Sequence, residues 1–227
     1  MIGIKSLTRV VSILNMASRP SLYLYEGWQD EAGIDNTVWT VTDPATGNPW
    51  SRGVAAIYVR AICQPFANET CRLRSNQRWL AAPTVYGKDT ILRRLTLEFE
   101  MKLADVANMD NTKCFFGLNP LADGDRGSNS IIGWSLAADV LQSITDNGGA
   151  ETVNTGFGET LTDWNKLKID IYEGHVKFFI NEVEVADHTT NLPSLAMWLN
   201  FFVDTEGAAL ATIELGIIRA WTEDIAR

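Results

Sequence analysis

Cysteine and histidine are scarce in this sequence, and each scarcity excludes a class of protein. The 227 residues include 3 Cys and 2 His, too few for a disulfide-rich scaffold or a histidine-rich metal centre. No apolar run approaches the roughly 20 residues of a membrane helix. Basic residues are outnumbered as well: 19 Lys and Arg face 28 Asp and Glu, a formal net charge of −9, which argues against nucleic-acid binding. The hydrophobic share of 46% suffices for a core and excludes global disorder.

The three cysteines leave two interpretations open. Cys63 and Cys71 flank a short stretch and could close a loop in an oxidising compartment, whereas the odd count favours reduced thiols. Cys114 lies in an apolar string and is expected to be a buried small hydrophobe. Arginines concentrate in the same region, among them Arg72, Arg74 and Arg78, and are interpreted as a solvated flank or as a contact for an acidic neighbour.

The N-terminal segment differs in charge from the rest of the chain, because no acidic residue precedes Glu26. We predict an arm or packed extension over residues 1–19 and one domain over residues 20–227; a short strand or a cleaved signal are the alternatives for the first segment. An apolar and basic arm would dock on an acidic capsid or assembly subunit, within a homo-oligomer or larger assembly. Its candidate docking residues are Ile4, Lys5, Leu7, Arg9, Val11, Leu14 and Arg19.

The remaining chain reads as β-strands separated by turn residues. Residues 95–103 alternate apolar and polar side chains, as do residues 166–171 and 176–180 on either side of a Glu173-Gly174 turn. This period of two is typical of half-buried strands, and the last two segments form a predicted hairpin. Residues 195–203 and 210–221 continue the pattern. The fold class is therefore predicted as all-β, a sandwich of two antiparallel sheets.

Specific strings in the C-terminal half narrow this prediction. The hairpin that begins at Trp164 and ends near Glu182, followed by the strand of residues 195–203 and a last strand ending at Trp221, resembles the concanavalin A-like lectin/glucanase (LamG-like) domain, as found in phage virion proteins. The resemblance implies a jelly-roll sandwich. It implies little about activity, because this fold carries hydrolases, lectins and virion proteins alike.

Catalytic residues are not expected. Glucanases of this kind present alternating acids along one strand, and the nearest string here places Lys168 where the nucleophile would stand. Glu98 and Glu100 project from one strand about 7 Å apart, but Lys102 continues their row, and such a row is usually a solvated face. A triad of a serine with Asp187 and His188 lacks a nucleophile elbow. We therefore predict that the chain is not an enzyme.

A glycan site is the main alternative. Trp198 and Phe202 would form a stacking surface if they face solvent, with Asn200 and Asp204 beside them; otherwise a loop or the N-terminal arm covers them. The candidate glycan-binding residues are Trp198, Asn200, Phe202, Asp204, Glu98 and Glu100.

One loop carries oxygen-bearing side chains at alternating positions, a pattern that calcium sites use. Asp123, Asp125 and Asn129 are the candidate ligands, and no other cofactor is expected.

Together these patterns favour a non-enzymatic interaction module. We predict a virion surface protein, a decoration or appendage docked through its arm, with an extracellular or cell-surface location as the alternative. A carbohydrate-binding lectin-like domain is the second hypothesis and a glucanase-type hydrolase the third.

Overall fold

A computed structural model describes residues 23–26, 34–42, 50–52, 58–63, 69–81, 91–104, 112–120, 130–137, 140–205 and 211–226. The predicted arm, residues 1–19, and the predicted calcium ligands Asp123, Asp125 and Asn129 lie outside these residues. No helix in the described part of the chain has the length and apolarity that crossing a membrane requires.

The described strands form two antiparallel sheets. Sheet A contains, in spatial order, β13 (Val183–His188), β12 (His175–Ile180), β11 (Asn165–Tyr172), β6 (Ile91–Leu103), β15 (Ala211–Ala226), β4 (Val59–Cys63) and β3 (Trp50–Arg52), and β1 (Tyr23–Glu26) also pairs with β15. Sheet B contains β10 (Glu151–Thr155), β9 (Val140–Asp146), β8 (Ile132–Ala137), β7 (Thr112–Asn119), β14 (Leu195–Thr205), β5 (Glu69–Ala81) and β2 (Trp39–Thr42). The predicted all-β sandwich is confirmed.

The core lies between the sheets and is built from the inward-facing residues of each strand. On β6, Leu97, Phe99 and Met101 are buried, as the alternating pattern predicts. Phe99 contacts Phe201 of β14 edge to face, with ring centroids 5.3 Å apart, which joins the two sheets at their centres. Aromatic pairs of this geometry add to the stabilisation from buried area alone.

The predicted hairpin is also present. β11 and β12 pair from Leu167 opposite Ile180 to Tyr172 opposite His175, and Gly174 adopts a positive φ of 71° in the turn. The next turn, Asn181 and Glu182, leads into β13 with φ angles of 50° and 70°. Two consecutive positive φ angles are the geometry of a type I′ turn, which suits a two-residue hairpin because its twist matches that of the strands.

One histidine is part of this core. His188 is 1% exposed; its Nδ1 lies 2.9 Å from Thr145 Oγ1 and its Nε2 3.1 Å from Ser143 Oγ. The neighbouring Asp187 points elsewhere, with both carboxylate oxygens 3.0 Å from His175 Nδ1. Among the described contacts, Asp187 therefore orients His175 rather than His188.

Two of the three cysteines, Cys71 and Cys114, have described side chains. Cys71 is disulfide-bonded. Of the two interpretations, a disulfide or reduced thiols, the structure contains the disulfide at this residue. Cys114 is a free, buried thiol, as predicted, and burial raises its pKa well above the ordinary value.

Candidate functional site

The predicted glycan residues of β14 share one face of sheet B. Met197, Leu199 and Phe201 point into the core, so the side chains between them point outward. The outward residues are Trp198, Asn200, Phe202 and Asp204. The strand therefore presents this row in the orientation that its alternating sequence predicts.

Phe202, however, does not form an exposed stacking surface. It is 1% exposed and stacks against Phe115 of β7, with ring centroids 5.9 Å apart and an interplanar angle of 26°. Ile131 and Ile144 complete this small second apolar cluster. The prediction of a two-ring platform is wrong at this residue, because Phe202 packs against other side chains on the outer face.

The Phe115 ring has room in the cluster because Gly133 of the neighbouring strand β8 has no side chain. A Cβ atom at Gly133 of β8 would lie 2.7 Å from two ring atoms of Phe115, closer than real Cβ atoms approach. The glycine thus lets an aromatic ring lie directly over the β8 backbone.

Trp198 is partly buried and carries a cation on its ring. The Arg78 guanidinium lies 3.7 Å from the Trp198 ring centroid, and that of Arg74 lies 5.4 Å away. A guanidinium stacks favourably on the electron-rich face of an indole. The expected bare indole surface is therefore an arginine–tryptophan stack, which presents N–H groups of Arg78 where a sugar ring was expected to lie.

The stack depends on an irregularity between β5 and β14. Trp198 is opposite Arg78 and Asn200 is opposite Arg74, so three residues of β5 are opposite Leu199. Ser75 fixes this bulge: the Leu199 backbone N–H donates to Ser75 Oγ at 3.0 Å, and Ser75 Oγ donates to the Gln77 carbonyl at 2.7 Å. Sequence analysis missed Arg74 and Arg78 as site residues because their positions depend on this long-range register; the only signal was the concentration of arginines in β5.

We name Arg72, Arg74, Arg78 and Trp198 the arginine face. Arg72 is buried and lies 5.8 Å from the Phe202 ring. Arg74 Nη2 contacts Thr40 Oγ1 at 3.4 Å, and its buried Nε has no hydrogen-bond partner. Within the described residues, neither Arg74 nor Arg78 has a carboxylate at ion-pair distance. The face therefore holds two guanidiniums that no carboxylate of the described residues pairs with.

Carboxylates are sparse at the centre of sheet B. The sequences of β7, β8 and β14 contain one acidic residue, Asp204, which accepts a hydrogen bond from Thr70 Oγ1 at 3.4 Å. A glycosidase uses two carboxyl groups, so these three strands do not supply the pair by themselves.

Glu98 and Glu100 lie on the opposite side of the sandwich. They belong to β6 of sheet A and point outward, because Leu97, Phe99 and Met101 point into the core. The six candidate glycan residues are thus divided between two opposite outer faces and cannot all contact one sugar. Alternation along a strand identifies the face of its own sheet, but not which strands share that sheet.

The two glutamates differ in their surroundings. Glu98 Oε1 accepts a hydrogen bond from Arg219 Nη1 at 3.2 Å, and its Oε2 lies 3.0 Å from Lys166 Nζ. Glu100 makes none of the described ion pairs. A Cβ atom at Gly216 would lie 2.7 Å from Glu100 Oε2 and 3.4 Å from the Trp164 ring. Glu100 and the exposed Trp164 thus adjoin the same glycine.

The rest of this face is an ion-pair network. Glu214 pairs with Arg60 and with Lys102, the latter at 3.0 Å. Burial alone would raise the pKa of Glu214, but hydrogen bonds from Lys102 and Arg60 outweigh burial and lower the pKa. Asp170 pairs with Arg94 and accepts a hydrogen bond from Thr96 Oγ1 at 2.8 Å. The polar face of β6 is therefore less solvated than its sequence predicts, since Thr96 and Glu98 are both buried.

No group of three or more His, Cys, Asp or Glu side chains that could hold a metal ion occurs in the described ranges. The calcium hypothesis concerns residues outside those ranges and stays a prediction. The arm, its acidic partner and the virion location also stay predictions.

Comparisons with known proteins identify solved structures that share this fold. No family model matches the sequence, and no curated protein matches it. Solved structures do match. A Bacillus licheniformis β-glucanase superposes with a TM-score of 0.62 at 14% identity, over 87% of this chain and 97% of that one. The catalytic domain of an endo-1,3-β-glucanase (laminarinase) from Thermotoga petrophila gives 0.64 at 11% identity, over 88% and 96%. The Crh5 transglycosylase gives 0.61 at 13% identity, over 87% and 83%.

These matches correct one prediction and leave another unsupported. The prediction that the chain is not an enzyme is contradicted, because the structures that share its fold along most of their length include glucanases and a transglycosylase. The virion role receives no support from them. The chain has the concanavalin A-like jelly-roll fold of these carbohydrate-active proteins, as the hairpin beginning at Trp164 predicted.

Proposed function

We propose that the chain is a carbohydrate-active domain that binds a polysaccharide on the outer face of sheet B. The observation that carries this proposal is the stack of Arg78 on Trp198, 3.7 Å from the ring centroid, in a row with Asn200 and Asp204. Ligand sites combine apolar and aromatic surface with a few oriented polar groups. The indole holds the Arg78 guanidinium in place, and this guanidinium and the Asp204 carboxylate supply hydrogen bonds to hydroxyl groups. Asn200 is fully buried and supports the row from beneath.

Replacing the indole tests this proposal. Trp198→Ala removes the surface on which Arg78 stacks, and we expect a loss of affinity of at least about tenfold for the polysaccharide that the unaltered protein selects from an array of neutral and charged glycans. The matched control is Phe179→Ala, which removes a partly buried aromatic ring from the outer face of sheet A, where Lys168 lies 3.9 Å from the ring centroid. Equal affinity of the two variants, or no glycan bound by the unaltered protein, would contradict the proposal.

Glycoside hydrolysis on the outer face of sheet A is a second candidate. Glu100 favours this candidate because it makes none of the described ion pairs and lies beside Trp164. The Trp164 side chain is 42% exposed. The Cα atoms of Glu98 and Glu100 are about 7 Å apart by strand geometry, so two roughly parallel side chains would hold their carboxyl groups close to the separation of roughly 6.5–9.5 Å in inverting glycosidases. Glu98, which two cations contact, suits the role of base, and Glu100 that of acid.

Turnover measurements test this candidate. We expect the protein to release reducing ends from β-1,3- or β-1,4-linked glucans, and Glu100→Gln to reduce the rate at least about 100-fold, because general acid catalysis contributes about that much. Glu151→Gln, an exposed glutamate of sheet B, is the control and should keep the full rate. Activity that survives Glu100→Gln, or no activity on any glucan, would remove the candidate.

A further inference from the structure

We propose that the polysaccharide bound by the arginine face is anionic, with carboxylate or sulfate groups on its sugars. This inference rests on the proposed function and specifies its ligand. Its basis is the contrast between the cations of the two sheets.

On sheet A, the described cations of the outer face have carboxylate partners. Arg60 pairs with Glu214, Arg94 with Asp170, and Arg219 with Glu98. The lysines follow the same rule: Lys102, Lys166, Lys168 and Lys177 each lie within 4.0 Å of an acidic oxygen. In a protein with a net charge of −9, pairing is thus the ordinary state of an outer-face cation.

Arg74 and Arg78 depart from this rule. Across the described ranges no carboxylate pairs with either guanidinium, although acidic residues outnumber basic ones in the chain. Their recorded partners are the Trp198 ring and, for Arg74, the Thr40 hydroxyl. Two neighbouring positive charges without a counter-charge raise the local potential and attract an anion.

The Arg74 side chain limits where an anion can bind. Its Nε atom is buried, as is that of the paired Arg94 on sheet A, so a surface ligand does not reach it. The contact with Thr40 leaves other N–H groups of Arg74 available to that anion.

Stacking gives Arg78 the geometry for this task. A guanidinium lying on an indole is held as a plane, while its N–H groups point outward from the edge of that plane. Arginine presents donors in a fixed fork that fits the two oxygens of a carboxylate or sulfate. Arg78 is exposed, so a ligand can reach this edge without rearrangement of the core.

Isothermal titration of the full chain against four polymers tests the inference. Polygalacturonate and alginate carry carboxylates, carrageenan carries sulfates, and lichenan is neutral. We expect at least tenfold tighter binding of the polyuronates, the sulfated polymer, or both, than of lichenan, with an affinity that falls as salt is added. The two charged classes distinguish the carboxylate source from the sulfate source.

Charge-matched variants assign the binding to the arginine face. Arg78→Gln and Arg74→Gln should each lower the affinity for the preferred anionic polymer at least tenfold, with unchanged thermal midpoints. Lys177→Gln removes the same charge from sheet A and should leave the affinity within twofold. Arg78→Lys keeps the charge but not the fork, and should bind less tightly than the unaltered protein.

Four results would overturn the inference. Lichenan bound as tightly as the anionic polymers would refute it while leaving carbohydrate binding in place, whereas no binding of any polymer would refute both. Arg74→Gln and Arg78→Gln variants that behave like Lys177→Gln would place the anion elsewhere. Equal binding of single-stranded DNA of matched charge would also refute it, because charge alone would then account for the affinity.

Discussion

Acidification should weaken the fold through one buried histidine. His188 is 1% exposed and contacts two hydroxyl groups. Burial lowers its pKa from 6.5 to about 4, and the nearby negative charge of Asp187 offsets this only in part. Between these two pKa values the unfolded chain binds a proton that the folded chain does not, so the free energy of unfolding falls as the pH falls.

The magnitude follows from the two pKa values. Each unit of pKa difference corresponds to about 1.4 kcal/mol, and the linkage relation gives a loss of about 2 kcal/mol between pH 7 and pH 5, reaching about 3 kcal/mol at pH 4. Against a typical stability of about 5–15 kcal/mol this is a large fraction. Stability from this residue is present above pH 6.5 and is lost as the pH falls towards 4.

Urea denaturation at pH 7, 6, 5 and 4 measures this effect. Other groups titrate in the same interval, so the informative quantity is the difference between the unaltered protein and His188→Gln, which retains hydrogen-bonding capacity but cannot be protonated. We expect the difference in unfolding free energy to change by about 2 kcal/mol from pH 7 to pH 5. His175→Gln, which alters the more exposed histidine beside Asp187, is the control. Parallel pH profiles for the unaltered protein and His188→Gln would refute the reasoning.

Two further substitutions test the packing described above. Gly133→Ala would place a Cβ 2.7 Å from the Phe115 ring and should lower the unfolding free energy by about 1–3 kcal/mol. Gly149→Ala is the control and should change the unfolding free energy little, because the nearest atom to its new Cβ would be 3.6 Å away. Thermal melts of the two variants measure the difference. Glu214→Gln should cost about 1–3 kcal/mol, because Arg60 and Lys102 lose their shared carboxylate; a melting temperature equal to that of the unaltered protein would show that the pairing contributes nothing.

The strands could be predicted from sequence because their signal is local. The alternation of Leu97, Phe99 and Met101 requires only a period of two, and the turn at Gly174 requires a residue that tolerates positive φ. Such features are determined within about ten residues, so the sandwich and its hairpin were correctly predicted.

The candidate site could be predicted only in part, because it depends on distant pairing. Trp198 and Asn200 were correctly placed on one side of a strand. The cover over Trp198 was not foreseen, since Arg78 reaches it through a register between segments that are 120 residues apart in the chain. The predicted exposure of Phe202 was wrong for a related reason. Phe115, which packs against it, is 87 residues away in the chain, and nothing in the local sequence indicates that the two rings meet.

The expectation of no enzymatic activity had a different weakness. It rested on rows of acids within single strands, which Lys168 and Lys102 interrupted, and on a triad of a serine with Asp187 and His188 that lacks a nucleophile elbow. The matching folds show that such a domain is used by glucanases and a transglycosylase, and carboxylates on neighbouring strands escape a search along a single one.

The bulge opposite Leu199 also constrains which length changes β5 can tolerate. Three residues of β5 occupy the place of one. Losing one of them would leave two residues opposite Leu199, the count of an ordinary β-bulge, which absorbs an extra residue without inverting the side chains that follow. Trp79 would keep its place between the sheets and Arg78 its place over Trp198, so we expect such a deletion to cost the local hydrogen bonds of Ser75 rather than the in–out order of the strand.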